Sequence, residues 1–110
     1  MPVIQSDDTY IELVSFETED AAMQRLLVNA LAKQVDGWIK HIPGFISASF
    51  HVSNDGKRVF NYAQWQSRAA WEIFAADARR ALIRDAVKAI DARHISGQGY
   101  AVAQIIAAGS

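Results

Sequence analysis

The sequence predicts an α+β fold, a four-stranded antiparallel sheet with helices packed on one face. Three observations carry that expectation. Apolar residues recur at helical spacing over 27–42 and again over 82–90. Strand-like runs rich in aromatic and β-branched residues flank both helical stretches. The turn Asn54-Asp55-Gly56-Lys57 joins two of those runs directly, as a hairpin requires.

Tyr10 to Phe16 alternates between polar neighbours and reads as strand one. Thr18 is placed to cap the next helix, with Glu19 and Asp20 in a first turn where negative charge suits the helix dipole. Leu27, Leu31, Val35, Trp38 and Ile42 then recur at steps of four, four, three and four. The helix is therefore expected to run to about Ile42, where Pro43-Gly44 stops it.

Phe45 to Ser53 is strand two. Alternation puts Ile46, Ala48, Phe50 and Val52 on one face and Phe45, Ser47, Ser49 and His51 on the other. Strand three, Arg58 to Gln66, returns antiparallel, with Val59, Asn61, Ala63 and Trp65 sharing a face. Ser67 caps a short helix to about Ala76. Asp77-Ala78 breaks it, and Ala81 to Ile90 forms a second piece with Leu82, Ala86 and Ile90 aligned. His94 to Gly99 reads as a loop, and Tyr100 to Ala107 as the last strand. The order β-α-β-β-α-β is the ferredoxin-like arrangement.

Helices cover one face of such a sheet and leave the other open. A second copy can cover it, two sheets closing into a dimeric α+β barrel. The run Tyr100 to Ala107 is apolar on both faces for most of its length, as a strand between layers or crossing to a partner would be. A homodimer is the expectation.

The bulk numbers exclude several classes. A chain of 110 residues, 51% apolar, is read as one domain over 1–110 with a sufficient core, its residues 1–8 expected to be flexible. It has no cysteine, and its net charge of -1 comes from mixed acids and bases, so no basic stripe for nucleic acid is present. The opening residues lack a charged n-region and a long apolar core, and no apolar run approaches the ~20 residues of a membrane span. A cytoplasmic protein is expected, with no membrane or nucleic-acid partner.

The usual sources of chemistry are missing. His41, His51 and His94 stand apart, with no metal-binding spacing. His51 shares its strand face with Ser47 and Ser49, which suits a hydrogen-bonded residue on a half-open sheet as well as a site residue. There is no nucleophile elbow, and the glycines of HISGQGY precede a strand, so no phosphate or dinucleotide loop is read there. The acids Asp7-Asp8, Glu17, Glu19, Asp20 and Asp55 fit termini, helix starts and turns. What remains is strand three, where Asn61 shares a face with Trp65. Asn61 carries donors and an acceptor, and Trp65 one N–H on a flat ring. Together they could grip the oxygens of a planar aromatic ligand, or Asn61 could pair with a neighbour and Trp65 pack in the core.

The stretch PGFISASFHVSNDGKRVFNYAQW resembles the signature of the antibiotic biosynthesis monooxygenase superfamily, and within it the cofactor-free anthrone monooxygenases of the actinorhodin-pathway type. The resemblance covers nearly the whole chain. It implies a homodimer whose subunits each hold a pocket between helices and sheet. There a polycyclic phenol, anthrone or quinol would be oxidised by O2 to a quinone, with neither flavin nor metal. On that resemblance Asn61, Trp65 and Arg84 are the expected catalytic residues, and Trp71, His51, Trp38 and Phe50 the expected substrate contacts. Trp71 is a departure, because relatives carry tyrosine there and an indole has no phenolic proton to give. The resemblance leaves a second reading open, a non-catalytic dimer that carries or senses a hydrophobic aromatic ligand. Haem degradation, a third branch, needs a histidine on the helix after strand three, and residues 67–92 contain none.

Overall fold

The computed structural model describes residues 9–109, so the readings made for residues 1–8 lie outside it. The elements are β1 (Tyr10–Glu17), α1 (Ala21–Gly37), β2 (Phe45–Val52), β3 (Arg58–Trp65), α2 (Arg68–Ala75), α3 (Arg80–Ile90) and β4 (Arg93–Ala101). The four strands form one antiparallel sheet in the order β2-β3-β1-β4. This is the expected ferredoxin-like α+β arrangement. No described helix is long and apolar enough to cross a membrane.

The helix starts differ in one respect from expectation. Asp20, not Thr18, caps α1, its carboxylate accepting from the Met23 N–H at 2.8 Å. Thr18 is buried, and its hydroxyl donates to the Gly56 carbonyl at 2.7 Å, tying the entry of α1 to the β2–β3 hairpin. Ser67 caps α2 as expected, accepting from the Ala70 N–H. At its other end α1 stops at Gly37. Trp38 leaves the helical path, and a 3-10 turn over Ile39–His41 carries the chain to Pro43. Trp38 and Ile42 are buried, but from outside the helix, so the apolar spacing continued past the backbone that it implied.

Two apolar clusters hold helices to sheet. One joins Trp38, Ile39, Ile42, Ala63, Trp65 and Phe74. The other joins Phe16, Leu27, Leu31, Val59 and Val87. In α3 the inward line is Ile83 and Val87, whereas Leu82 is half exposed. The predicted stripe was displaced because packing of α3 against α1 and the sheet selects the neighbouring i, i+4 pair.

Two irregularities redirect side chains. The β2–β3 register slips between Phe45 and Ser47, a bulge at Ile46. Phe45 is thereby turned to the helix side, opposite the face that simple alternation gave it. The larger correction is β4. It begins at Arg93 and pairs with β1 along its length, with a bulge at Ile95, so the expected loop His94–Gly99 is strand. The expected strand over 100–107 stops at Ala101, and 102–109 carry no regular structure. Glycines in a strand interior weaken local propensity, and here the ladder to β1 overrides it.

Candidate active site

Between the inner face of the sheet and the helices lies a cavity of about 910 Å³. Its floor is built by alternation. On β3, Asn61, Ala63 and Trp65 point inward, and opposite them on β1 stand Val14, Glu12 and Tyr10. Trp71 and Phe74 come down from α2, and Ile83 and Arg84 from α3.

Gly44 sets the approach of α2. It has φ +92°, and a Cβ there would collide with the Ala70 Cβ, so only glycine lets α2 close over the sheet. Trp65 is then clamped. Phe45 meets it edge-on with ring centroids 5.2 Å apart, and Phe74 stacks on it, also at 5.2 Å with planes 25° apart. Trp71 leans on the Tyr10 ring at 5.2 Å.

The buried polar atoms of the chamber floor and of α2 are the telling part. The Asn61 carboxamide oxygen and the indole N–H groups of Trp65 and Trp71 are buried with no hydrogen-bond partner among the described residues. A buried polar atom left unpaired costs about 1–3 kcal/mol, so three in one cavity need an explanation beyond packing.

Glu12 adds a buried carboxylate. Burial pushes its pKa above the usual carboxylate range, and the Trp71 N–H, Arg80 and His94 pull it back in part. The Trp71 N–H is thus near enough to favour the carboxylate, although the two do not meet in good hydrogen-bond geometry. At the α2–α3 break Asp77 is held down to about 2 by hydrogen bonds from the Arg79 side chain and its backbone N–H, which orders the turn beside the cavity.

Five of the expected residues meet in this one chamber: Asn61, Trp65, Trp71, Phe50 and Arg84. Arg84 lines it from an exposed position. Two do not. His51 is on the opposite face of the sheet, stacked on Phe60 at 4.8 Å and hydrogen-bonded to Ser49. Its strand parity excludes it. Trp38 lies behind Phe74, with its N–H donated to Gln34 and the Arg79 guanidinium over its ring, so it supports the wall without lining it. The residue that sequence reasoning passed over is Glu12. Its signal was an acid sharing a strand face with Val14 and Phe16, both inward. Among the described residues no three His, Asp or Glu side chains gather as a metal ligand set.

Tetracenomycin-F1 monooxygenase of Streptomyces glaucescens is 48% identical over 56 residues, 51% of this chain and 50% of that protein, so the match spans about half the length of that relative. Among solved structures, the monooxygenase ActVA-Orf6 of Streptomyces coelicolor, in complex with nanaomycin D, aligns with a TM-score of 0.80 and 32% identity over 91% of this chain and 92% of that one. SnoaB of Streptomyces nogalater, a cofactor-independent oxygenase, aligns with a TM-score of 0.74 over 90% and 97% of the two chains. At 15% identity that likeness concerns the fold. The antibiotic biosynthesis monooxygenase family model matches residues 7–88, which include every strand and helix that builds the chamber except β4 and the end of α3. By that match and by its alignment with ActVA-Orf6, the chain belongs to the antibiotic biosynthesis monooxygenase family.

Proposed function

We propose that this chain is a cofactor-independent monooxygenase that oxidises a polycyclic aromatic phenol of the anthrone or quinol class to a quinone with O2. The observation that carries the reading is the set of unpaired polar atoms around Asn61 and Trp65 in the cavity between sheet and helices. At about 910 Å³ the chamber is within the range of small-molecule sites and has room for a fused-ring ligand. The names of its relatives, a tetracenomycin-F1 monooxygenase and a cofactor-independent oxygenase, point the same way.

The roles follow from donor and acceptor type. The Asn61 oxygen accepts from a ring hydroxyl, and the Trp65 N–H donates to the neighbouring carbonyl oxygen. Loss of the acidic ring proton turns that carbonyl into an enolate, and a donor already aimed at it is worth roughly 3 kcal/mol. The electron-rich enolate passes one electron to O2 and recombines with it, and the peroxide collapses to quinone and water. Arg84 steadies the developing peroxide charge from the α3 side. Trp71 covers the ring system but has no phenolic proton to give. A second subunit covers the open sheet face, making a homodimer with one chamber in each copy.

The test is oxygen uptake by chelator-treated protein with dithranol as substrate, beside Asn61→Ala. Uptake with quinone formation, lowered about a hundredfold in the variant, supports the reading. Saturable binding with no rate above background moves the chain to the carrier class. Full turnover in Asn61→Ala removes that residue from the mechanism.

A further inference from the structure

We propose that Glu12 is the general base of this chamber, taking the acidic ring proton of the bound aromatic and handing it back to the peroxide. The inference rests on the oxygenase reading above. It begins from placement. On the central strand β1, Glu12 stands directly opposite Ala63 of β3, with Asn61 and Trp65 at the flanking inward positions. On its other side it stands opposite Gly99 of β4, with Gly97 next on the same face. Its carboxylate is thus framed by small residues on both neighbouring strands, and it lines the cavity.

The glycines matter for reach. A Cβ at Gly97 would sit 3.9 Å from the Glu12 Oε2 and 3.8 Å from the His94 Nε2, so the two side chains converge over a residue that has none. His94 is exposed and Glu12 is buried. Together they make a path from the chamber to solvent for a proton. The groups facing the carboxylate are the Trp71 N–H from α2, Arg80 from α3 and His94 from β4. Asp77, Arg84, Lys88 and Arg93 also line the chamber, and the inward residues of β3 beside Glu12 are uncharged. No salt bridge is made by Glu12 among the described residues. A buried carboxylate without an ion pair destabilises a fold, and burial, by raising its pKa, makes it a stronger base.

The proton and electron balance closes on one carboxylate. The ring C–H breaks, an O–H forms on Glu12, and the electron pair moves to the oxygen held by Trp65. One electron passes to O2, the radicals pair, and a C–O bond forms. The peroxide anion then takes the proton from Glu12. The restored carboxylate removes the second proton from the same carbon. That pair becomes the C=O, the O–O bond breaks, and the leaving hydroxide collects the proton as water. The CH2 group loses four electrons, and O2 gains them as the quinone oxygen and water. A tyrosine is not required, so Trp71 is compatible with this sequence of steps.

The experiment compares the full-length wild type with Glu12→Gln and Asn61→Ala. It measures dithranol oxidation across pH 5–9 and, separately, binding of an anthraquinone. The expected result is a loss of about a hundredfold in kcat for Glu12→Gln with anthraquinone binding kept. Its remaining rate lacks the acid limb seen in wild type. Asn61→Ala is slow but keeps that limb. A Glu12→Gln enzyme with wild-type rate and pH profile overturns the base assignment and leaves the oxygenase reading standing. Parallel loss of rate and binding also overturns it, in favour of a packing role. Wild type inert toward dithranol overturns the oxygenase reading and this inference with it.

Discussion

Trp65 stacks on Phe74 across the boundary between sheet and α2, with centroids 5.2 Å and planes 25° apart. The pair fixes where the Trp65 N–H points, and Phe74 is itself buried. Phe74→Ala should destabilise the fold by about 3–5 kcal/mol, the usual loss for a buried phenylalanine. Urea unfolding measures it. A loss below about 1 kcal/mol would show that α2 re-closes on the gap and that the clamp is not what orients Trp65.

Gly44→Ala tests the closure of α2. The substitution is strained by the positive φ and obstructed by Ala70, so a destabilisation of more than about 1 kcal/mol is expected. The double variant Gly44→Ala/Ala70→Gly should recover the steric part and retain the backbone part. Thermal melts of the three proteins separate the two contributions, and no recovery would locate the whole effect in the backbone.

Stability should respond to Glu12 with a definite sign. Its folded pKa lies above the ordinary 4.5, so it favours the folded state below that pH and loses this contribution as pH rises through the folded value. Glu12→Gln should therefore raise Tm at pH 8 and leave it little changed at pH 4. A lower Tm at pH 8 would mean that Arg80 and His94 make the carboxylate a net stabiliser.

The indole N–H of Trp71 lowers the Glu12 pKa. Trp71→Phe removes that donor and keeps a ring against Tyr10, so the acid limb of dithranol oxidation should move to higher pH. An unshifted limb would detach Trp71 from the titration.

Much of the architecture was readable because period and punctuation agree. Strand alternation put Asn61 and Trp65 on one face, and Ser67 and the hairpin turn marked their elements, whereas Pro43-Gly44 stood six residues beyond the true end of α1 at Gly37. The failures share a cause. Phe45 changed face through a bulge, and β4 formed where two glycines argued for a loop, both being settled by pairing between distant strands. Trp38 kept the helical spacing after the backbone had left the helix. His51 was the one expected contact that alternation itself argued against. Glu12 was in view on an inward face, yet nothing local said which groups would surround it.

The two β4 glycines are not equivalent. Gly99 is roofed by the Tyr10 hydroxyl, so a side chain there would have to displace that ring, whereas a methyl at Gly97 would meet His94, Glu12 and Val14 only at ordinary contact distance. Position 97 thus leaves open room beside the carboxylate. Anything longer than a methyl there would press on Glu12, His94 and Val14, so the bare backbone at 97 keeps clear the space in which the carboxylate and the imidazole approach each other.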